Sequence, residues 1–113
     1  MHEYAVVQAL LDQCEMHAKA QKAKRILRVE VKIGVLSGVE PHLLKIAFDT
    51  FKADTLCEDA KLTMQIQPVV IHCSECEKTH TLAEHDYSCP ECGANTVRVI
   101  DGEEMLLMRL EME

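Results

Sequence analysis

Ile26-Leu27-Arg28-Val29-Glu30-Val31-Lys32-Ile33-Gly34-Val35 is the stretch from which the fold is read. Leu27, Val29, Val31, Ile33 and Val35 alternate with Arg28, Glu30 and Lys32. A period of two puts each set on its own face of a half-buried strand. Gly34, Ser37 and Gly38 end it. Upstream, over residues 4–22, the period changes. Val7, Leu10, Leu11, Cys14 and Ala18 recur at helical spacing, with Glu3, Asp12 and Glu15 early and Lys19, Lys22 and Lys24 late. That charge order complements a helix dipole. Downstream, Pro41 suits a first helical position, and Leu44, Ala47, Phe48 and Phe51 make a stripe through about residue 52. Leu62, Met64 and Ile66 then alternate with Thr63, Gln65 and Gln67 and stop near Pro68. Leu106, Met108, Leu110 and Met112 alternate with Leu107, Arg109 and Glu111 in a third strand.

Between the second and third strands the texture changes. Residues 71–100 hold four cysteines and few large apolar side chains, too few for an ordinary core. The spacing predicts an α+β fold, a three-stranded sheet with two helices, from which this segment projects as an insertion. The expected division is a domain of residues 1–70, completed by a C-terminal strand at 101–113, and a lobe of residues 71–100. Both helices can cover one face of the sheet. Strand order does not follow from the pattern.

Cys73-Ser74-Glu75-Cys76 and Cys89-Pro90-Glu91-Cys92-Gly93 are two knuckles, each presenting two thiolates to one ion. Together Cys73, Cys76, Cys89 and Cys92 complete a closed tetrahedral sulfur shell, the structural preference of zinc. Such a zinc ribbon contributes folding free energy and hydrolyses nothing. An iron–sulfur cluster is the minor alternative. A redox motif needs one CxxC at a helix start with a depressed thiol pKa, which paired knuckles do not resemble. His72, His80 and His85 beside the knuckles read as solvated or hydrogen-bonded histidines, with ligand substitution or a second metal as alternatives. Cys14 lies on the apolar stripe and reads as a core thiol; Cys57 is given no role. His17 is expected at the edge of the buried stripe, as a structural histidine or a pH-sensitive group. His42 is expected in solvent.

The chain begins Met1-His2-Glu3-Tyr4. The α-amine, the His2 amide nitrogen and the His2 imidazole can close two fused chelate rings. Nitrogen donors in a plane suit nickel(II) or copper(II) rather than zinc. A bulky second residue should leave Met1 in place, because methionine aminopeptidases prefer a small one. Amide coordination requires loss of a proton, so affinity should fall in acid. Glu40, in the turn before the second helix, is a candidate fourth donor; complementing the helix dipole is the alternative.

The chain has 113 residues and a net charge of -7, unevenly placed. Residues 71–100 carry two basic and five acidic side chains. A phosphate-binding surface needs Lys and Arg to replace counterions, so a nucleic-acid partner is not expected. No apolar run approaches the roughly 20 residues that span a bilayer, and the start lacks a signal peptide's basic-then-apolar order. A cytoplasmic protein with reduced cysteines is expected, without a membrane partner. No nucleophile–base pair or phosphate-binding glycine loop is apparent, so no enzymatic activity is expected.

The Met1-His2-Glu3-Tyr4 start, the Lys32-Ile33-Gly34 strand end, the Leu36-Ser37-Gly38-Val39-Glu40-Pro41 turn and the paired knuckles together resemble the HypA/HybF family, in the same order along essentially the whole chain. The resemblance implies a nickel metallochaperone acting in nickel–iron hydrogenase maturation, and in some bacteria in urease maturation. It implies His2 as main nickel ligand, Glu3 in the same site, and a zinc-ribbon lobe. The partners implied are a nickel-handling maturation GTPase and the hydrogenase large subunit, with a urease accessory protein where urease is served. The alternative from another class is a zinc-ribbon adaptor that binds protein without delivering nickel.

Overall fold

The computed structural model describes residues 3–83 and 87–113, Glu3 by its backbone alone. The expectations placed on Met1, His2, the Glu3 side chain and His85 lie outside the described residues. The chain runs α1 (Glu3–Ala20), β1 (Ile26–Gly34), α2 (Pro41–Phe51), β2 (Lys61–Gln67), β3 (Val70–Cys73), β4 (Thr79–Thr81), β5 (Val97–Asp101) and β6 (Met105–Met112). This is the expected α+β architecture, and the strand order is now defined. One sheet is β2-β1-β6, with β1 parallel to β2 and antiparallel to β6. The lobe has a sheet of its own, β4-β3-β5, antiparallel throughout. Among the described residues no helix is long and apolar enough to cross a membrane.

Both helices cover one face of the first sheet. Val7, Leu10, Leu11, Cys14 and Ala18 of α1 and Leu44 and Phe48 of α2 are buried against Ile26, Val29, Val31, Ile33 and Leu62. Helix α1 stops because Lys22 turns left-handed at φ 57°. The Ala23 amide then reaches back to the Ala18 carbonyl at 2.9 Å, satisfying one of the last helical acceptors. Tyr4 packs edge-to-face on Phe51, centroids 4.6 Å apart, and ties the start of α1 to the end of α2.

Two bulges change the expected alternation. The register of β1 against β6 shifts between Ile26 and Arg28, and Leu27 is the extra residue. Leu27 is therefore exposed, and Ile26 is buried in its place. A second shift makes Met108 the extra residue on β6. Downstream of it Leu110 and Met112 face the core as expected, but upstream the phase inverts. Met105 and Leu107 pack on the core, and Leu106 and Met108 are exposed. Val35 and Ile66, at strand ends, and Phe51, at the helix end beside Tyr4, are also exposed rather than buried.

The two sheets meet at a backbone contact. A Cβ built on Gly34 would lie 2.2 Å from the Gly102 carbonyl oxygen, so no side chain fits there. Around it the Leu36 amide donates to the Gly102 carbonyl at 2.8 Å, and the Gly34 amide to the Glu104 carbonyl at 3.0 Å. Lys32 Nζ donates to Asp101 Oδ2 at 3.0 Å, joining β1 to β5. Leu36 packs on the small apolar cluster of the lobe, Val69, Ile71 and Leu82, while Val39, three residues on, packs on the main core. The turn between them is thus held at both ends.

Gly34→Ala should destabilise the fold by about 1–3 kcal/mol, the usual cost of forced overpacking, as read from urea unfolding. Lys32, and then the Gly102 amide, hold the Asp101 carboxyl below the usual carboxylate range. With the folded pKa lowered, the stabilisation is complete above the ordinary Asp range, about pH 4, and is lost as pH falls through the lowered value. Asp101→Asn should remove that acid-side loss from a stability–pH profile.

Candidate metal centre

The four-cysteine site is built from two similar turns. In the first, Cys73 ends β3 and its amide donates to the Lys78 carbonyl at 2.9 Å, closing the loop into β4. In the second, the Cys89 amide donates to the Ala94 carbonyl and the Gly93 amide to the Cys89 carbonyl, each at 2.8 Å. Each turn needs a left-handed residue directly after its second cysteine. Gly93 serves at φ 75°, and Glu77 takes the same place at φ 56°. The next amide then points back at the sulfur: Lys78 at Cys76, and Ala94 at Cys92.

The sulfurs are gathered at metal-ligand distances. Cys73 Sγ lies 3.6 Å from Cys92 Sγ, and Cys76 Sγ 3.8 Å from Cys89 Sγ. All four lie within 4.8 Å of one another. A tetrahedral zinc–sulfur shell with bonds near 2.3 Å has edges of about 3.8 Å. The donor set therefore fits zinc in number, element and spacing.

Electrostatics agree with an ion-binding role. Burial pushes the Cys89 thiol up, but amides of Cys92 and Glu91 and the Cys92 and Cys76 thiols outweigh it and bring it down to about 6. The Ala94 amide favours a Cys92 thiolate, yet the Cys89 and Cys73 sulfurs and burial together push it up to about 12. Cys76 is also raised, by burial first, against the lowering Lys78 amide. Four thiolates this close repel one another; a divalent cation removes that conflict.

His80 is the neighbouring group. Its Nε2 lies 3.7 Å from Cys76 Sγ and 3.6 Å from Glu91 Oε2. Lys78 donates to the other Glu91 oxygen at 3.0 Å and holds that carboxyl below its usual range. Cys76, His80 and Glu91 form a second trio at ligand distances, sharing Cys76 with the first. His80 is thus hydrogen-bonded, to the Cys76 sulfur, which is one of the two environments expected for it. No spacing rule gives this, because β4 folds it back over the first knuckle.

The remaining residues fall elsewhere. Cys14 and Cys57 are both buried in the main core. Cys14 is pushed up, first by its hydrogen bond to Cys57 and then by burial, while the same hydrogen bond, against burial, lowers Cys57. Cys57, which had been given no role, is thus a core thiol like Cys14. His17 is exposed rather than at the edge of the buried stripe. Glu40 is the N-cap of α2, and its Oε1 accepts from the His42 amide at 3.0 Å. Val39, beside it, lines a groove with Val6 and Leu10 in the first turns of α1.

A family model for HypA, described as a hydrogenase/urease nickel incorporation metallochaperone, matches residues 1–112. The chain belongs to the HypA family. It is 56% identical to the hydrogenase maturation factor HypA of Shewanella oneidensis, over all of this chain and 96% of that one. It is 46% identical to HypA of Aquifex aeolicus, over all of this chain and 98% of that one. The solution structure of the nickel metallochaperone HypA from Helicobacter pylori superposes with a TM-score of 0.73 at 39% identity, covering 99% of this chain and 97% of that one. A second HypA solution structure gives a TM-score of 0.76 at 37% identity, covering 100% of this chain and 97% of that one. The fold and the family expected from the sequence are both those found. As a HypA protein the chain is a maturation factor, a class defined by metal incorporation and not by a reaction catalysed.

Location predicts two classes of thiol: Cys14 and Cys57 sit in the main core, whereas Cys73 and Cys89, also buried, and Cys76 and Cys92 sit in the lobe that metal removal should loosen. After chelation at neutral pH, four cysteines should react quickly with a thiol reagent, and Cys14 and Cys57 only once denaturant opens the core. A titration that releases all six at one rate would contradict the separation.

Proposed function

We propose that the protein binds nickel(II) at the residues leading into α1 and delivers it during maturation of a nickel–iron hydrogenase, and of urease where the cell makes one. Membership of a nickel-incorporation family over the whole chain is the observation that carries this reading. His2 is the main ligand, through its imidazole and amide nitrogens. The Met1 α-amine and Glu3 belong to the same site. Glu40 is the fourth-donor candidate: its Oε1 is engaged in capping α2, while its Oε2 has no hydrogen bond among the described residues. Support for its nearness comes from Val39, which shares a groove with Val6 and Leu10 on the early turns of α1.

Cys73, Cys76, Cys89 and Cys92 would hold a resident zinc. Bound there, zinc cross-links the two knuckles and offers no open coordination position. The proposed division is a nickel-handling domain of residues 1–70, completed by 101–113, and a zinc lobe of residues 71–100. Two metals are then kept apart by donor type, nitrogen with carboxylate for the cargo and sulfur for the resident ion. The proposed partners are a nickel-handling GTPase, the hydrogenase large subunit and, for urease, one of its accessory proteins.

Calorimetric titration tests the cargo site. His2→Ala should abolish nickel binding and leave zinc at about one per chain by elemental analysis; nickel affinity equal to wild type would overturn the site and favour the adaptor role. Protein extended by a few residues before Met1 should bind nickel more weakly if the α-amine is a ligand. Nickel affinity should fall as pH drops through the imidazole range near 6.5, because protons compete for the same nitrogens. Cys73→Ala should lose zinc.

A further inference from the structure

Strand β6 is an edge of its sheet: β1 lies on one side and, among the described residues, no strand lies on the other. An edge leaves backbone groups unpaired. Glu113 and Arg25 exchange both N–H···O bonds, at 3.0 and 3.2 Å, so the Glu113 peptide groups face β1. Alternation along the strand turns those of Glu111 and Arg109 the same way, and points the N–H and C=O of Leu110 and Met112 outward. The end of β6 is thus ready to pair with an added strand.

Beside this edge runs a groove of about 320 Å³, between β6 and the last turns of α1. Leu107, Met108, Leu110 and Met112 line it from the strand, and His17 and Gln21 from the helix. The groove exists because α1 covers β1 more completely than β6. Val29 and Val31 of β1 are fully buried, whereas Leu107, Leu110 and Met112 are only partly so. Met108, the extra residue of the bulge, is 50% exposed. Methionine is unbranched and adapts to the shape it meets.

The charged and polar side chains of the lining can all donate. Arg109 lines the groove and has no hydrogen bond or ion pair among the described residues, although Glu30 stands across from it. His17 and Gln21 add an imidazole and an amide, and no carboxylate lines the groove. Glu111, further along the strand, reaches Arg28 at 3.5 Å. A chain of net charge -7 therefore keeps an unpaired cation beside an apolar trough.

An extended peptide that adds to a sheet edge gains main-chain hydrogen bonds and sends alternate side chains to opposite faces. Those on the helix side enter the groove and should be apolar. The intervening residue, set opposite Arg109, should carry a carboxylate. We infer that the groove between β6 and α1 takes an extended segment of a partner protein, apolar at alternate residues with a carboxylate between them, by strand addition to β6. His17 lies about 21 Å along α1 from Glu3, so this surface is separate from the start of that helix.

Fluorescence anisotropy on the zinc-loaded full chain tests the pairing with labelled pools of seven-residue peptides. One pool has valine, leucine or isoleucine at the odd positions, glutamate at the centre and threonine elsewhere; a second has lysine for glutamate. The glutamate pool should bind saturably, and the lysine pool about tenfold more weakly. Arg109→Gln should weaken the glutamate pool. Arg109→Glu should reverse the preference between pools, which a merely misfolded variant cannot imitate. N-methylation at the odd positions, whose amides face β6, should abolish binding. Bound peptide should slow hydrogen exchange at the Leu110 and Met112 amides. Wild type that binds neither pool overturns the inference, as does binding indifferent to both Arg109 variants or protection confined to other strands. Protection of these amides that rises with protein concentration alone, and that peptide leaves unchanged, gives the edge to a second copy and overturns it equally.

Discussion

The contact of Gly34 with Gly102 is the constraint on which the arrangement rests. There the outgoing end of β1 touches the returning chain with no side chain between. A backbone can approach another this closely only where Cβ is absent. The lobe leaves the main sheet after Gln67 and returns through Gly102, so both crossings lie beside this point. Lys32 and Asp101 add a charged hydrogen bond across it. The next turn has Leu36 in the lobe's apolar cluster and Val39 in the main core. A shift of the lobe would therefore be felt at Glu40 and the first turn of α2, by contact rather than through the metal alone.

The cysteine site shows how local backbone sets metal chemistry. Two left-handed residues aim amides at sulfur, and the one in the first knuckle, Glu77, is a glutamate where glycine costs least. Those amides favour thiolate, while the neighbouring sulfurs oppose it. The balance leaves sulfurs with very different proton affinities in one cluster. An ion must displace protons to enter, and it then relieves the repulsion it finds. Soft sulfur donors and a closed shell suit an ion that stays. A cargo ion needs donors that a recipient can compete with, which is what a short nitrogen and carboxylate set near a helix start would offer.

Much of this was legible in the residues. The alternation through Val29, Val31 and Ile33 marked the central strand, and the 3.6-residue stripes marked both helices. The paired knuckles marked the sulfur site. What failed was phase. Leu27 and Met108 are apolar and fit an unbroken alternation, but each is the extra residue of a bulge. A bulge is decided by two strands together, so one strand's pattern does not reveal it. The lobe's three strands were missed because they are short and its apolar cluster is small. Glu77 gave no turn signal, since its left-handed backbone belongs to the knuckle turn that the Cys73 amide closes on the Lys78 carbonyl. His80 entered the site through strand pairing, a long-range event. The residues before Tyr4 were legible as candidate donors by residue type alone, and the placement of Met1, His2 and the Glu3 side chain lies outside the described residues.

Connectivity has a further consequence for how the chain assembles. β6 pairs with β1 across most of the length of the protein, and the whole lobe lies in the intervening loop. Closing a long flexible loop costs chain entropy, and non-local pairing slows folding. An ion gathered early by the four thiolates would shorten that loop before the sheet is complete. The lobe then acts as a tether that raises the local concentration of the last strand beside the first. Metal supply during synthesis would in that way set how quickly the other half of the molecule acquires its third strand.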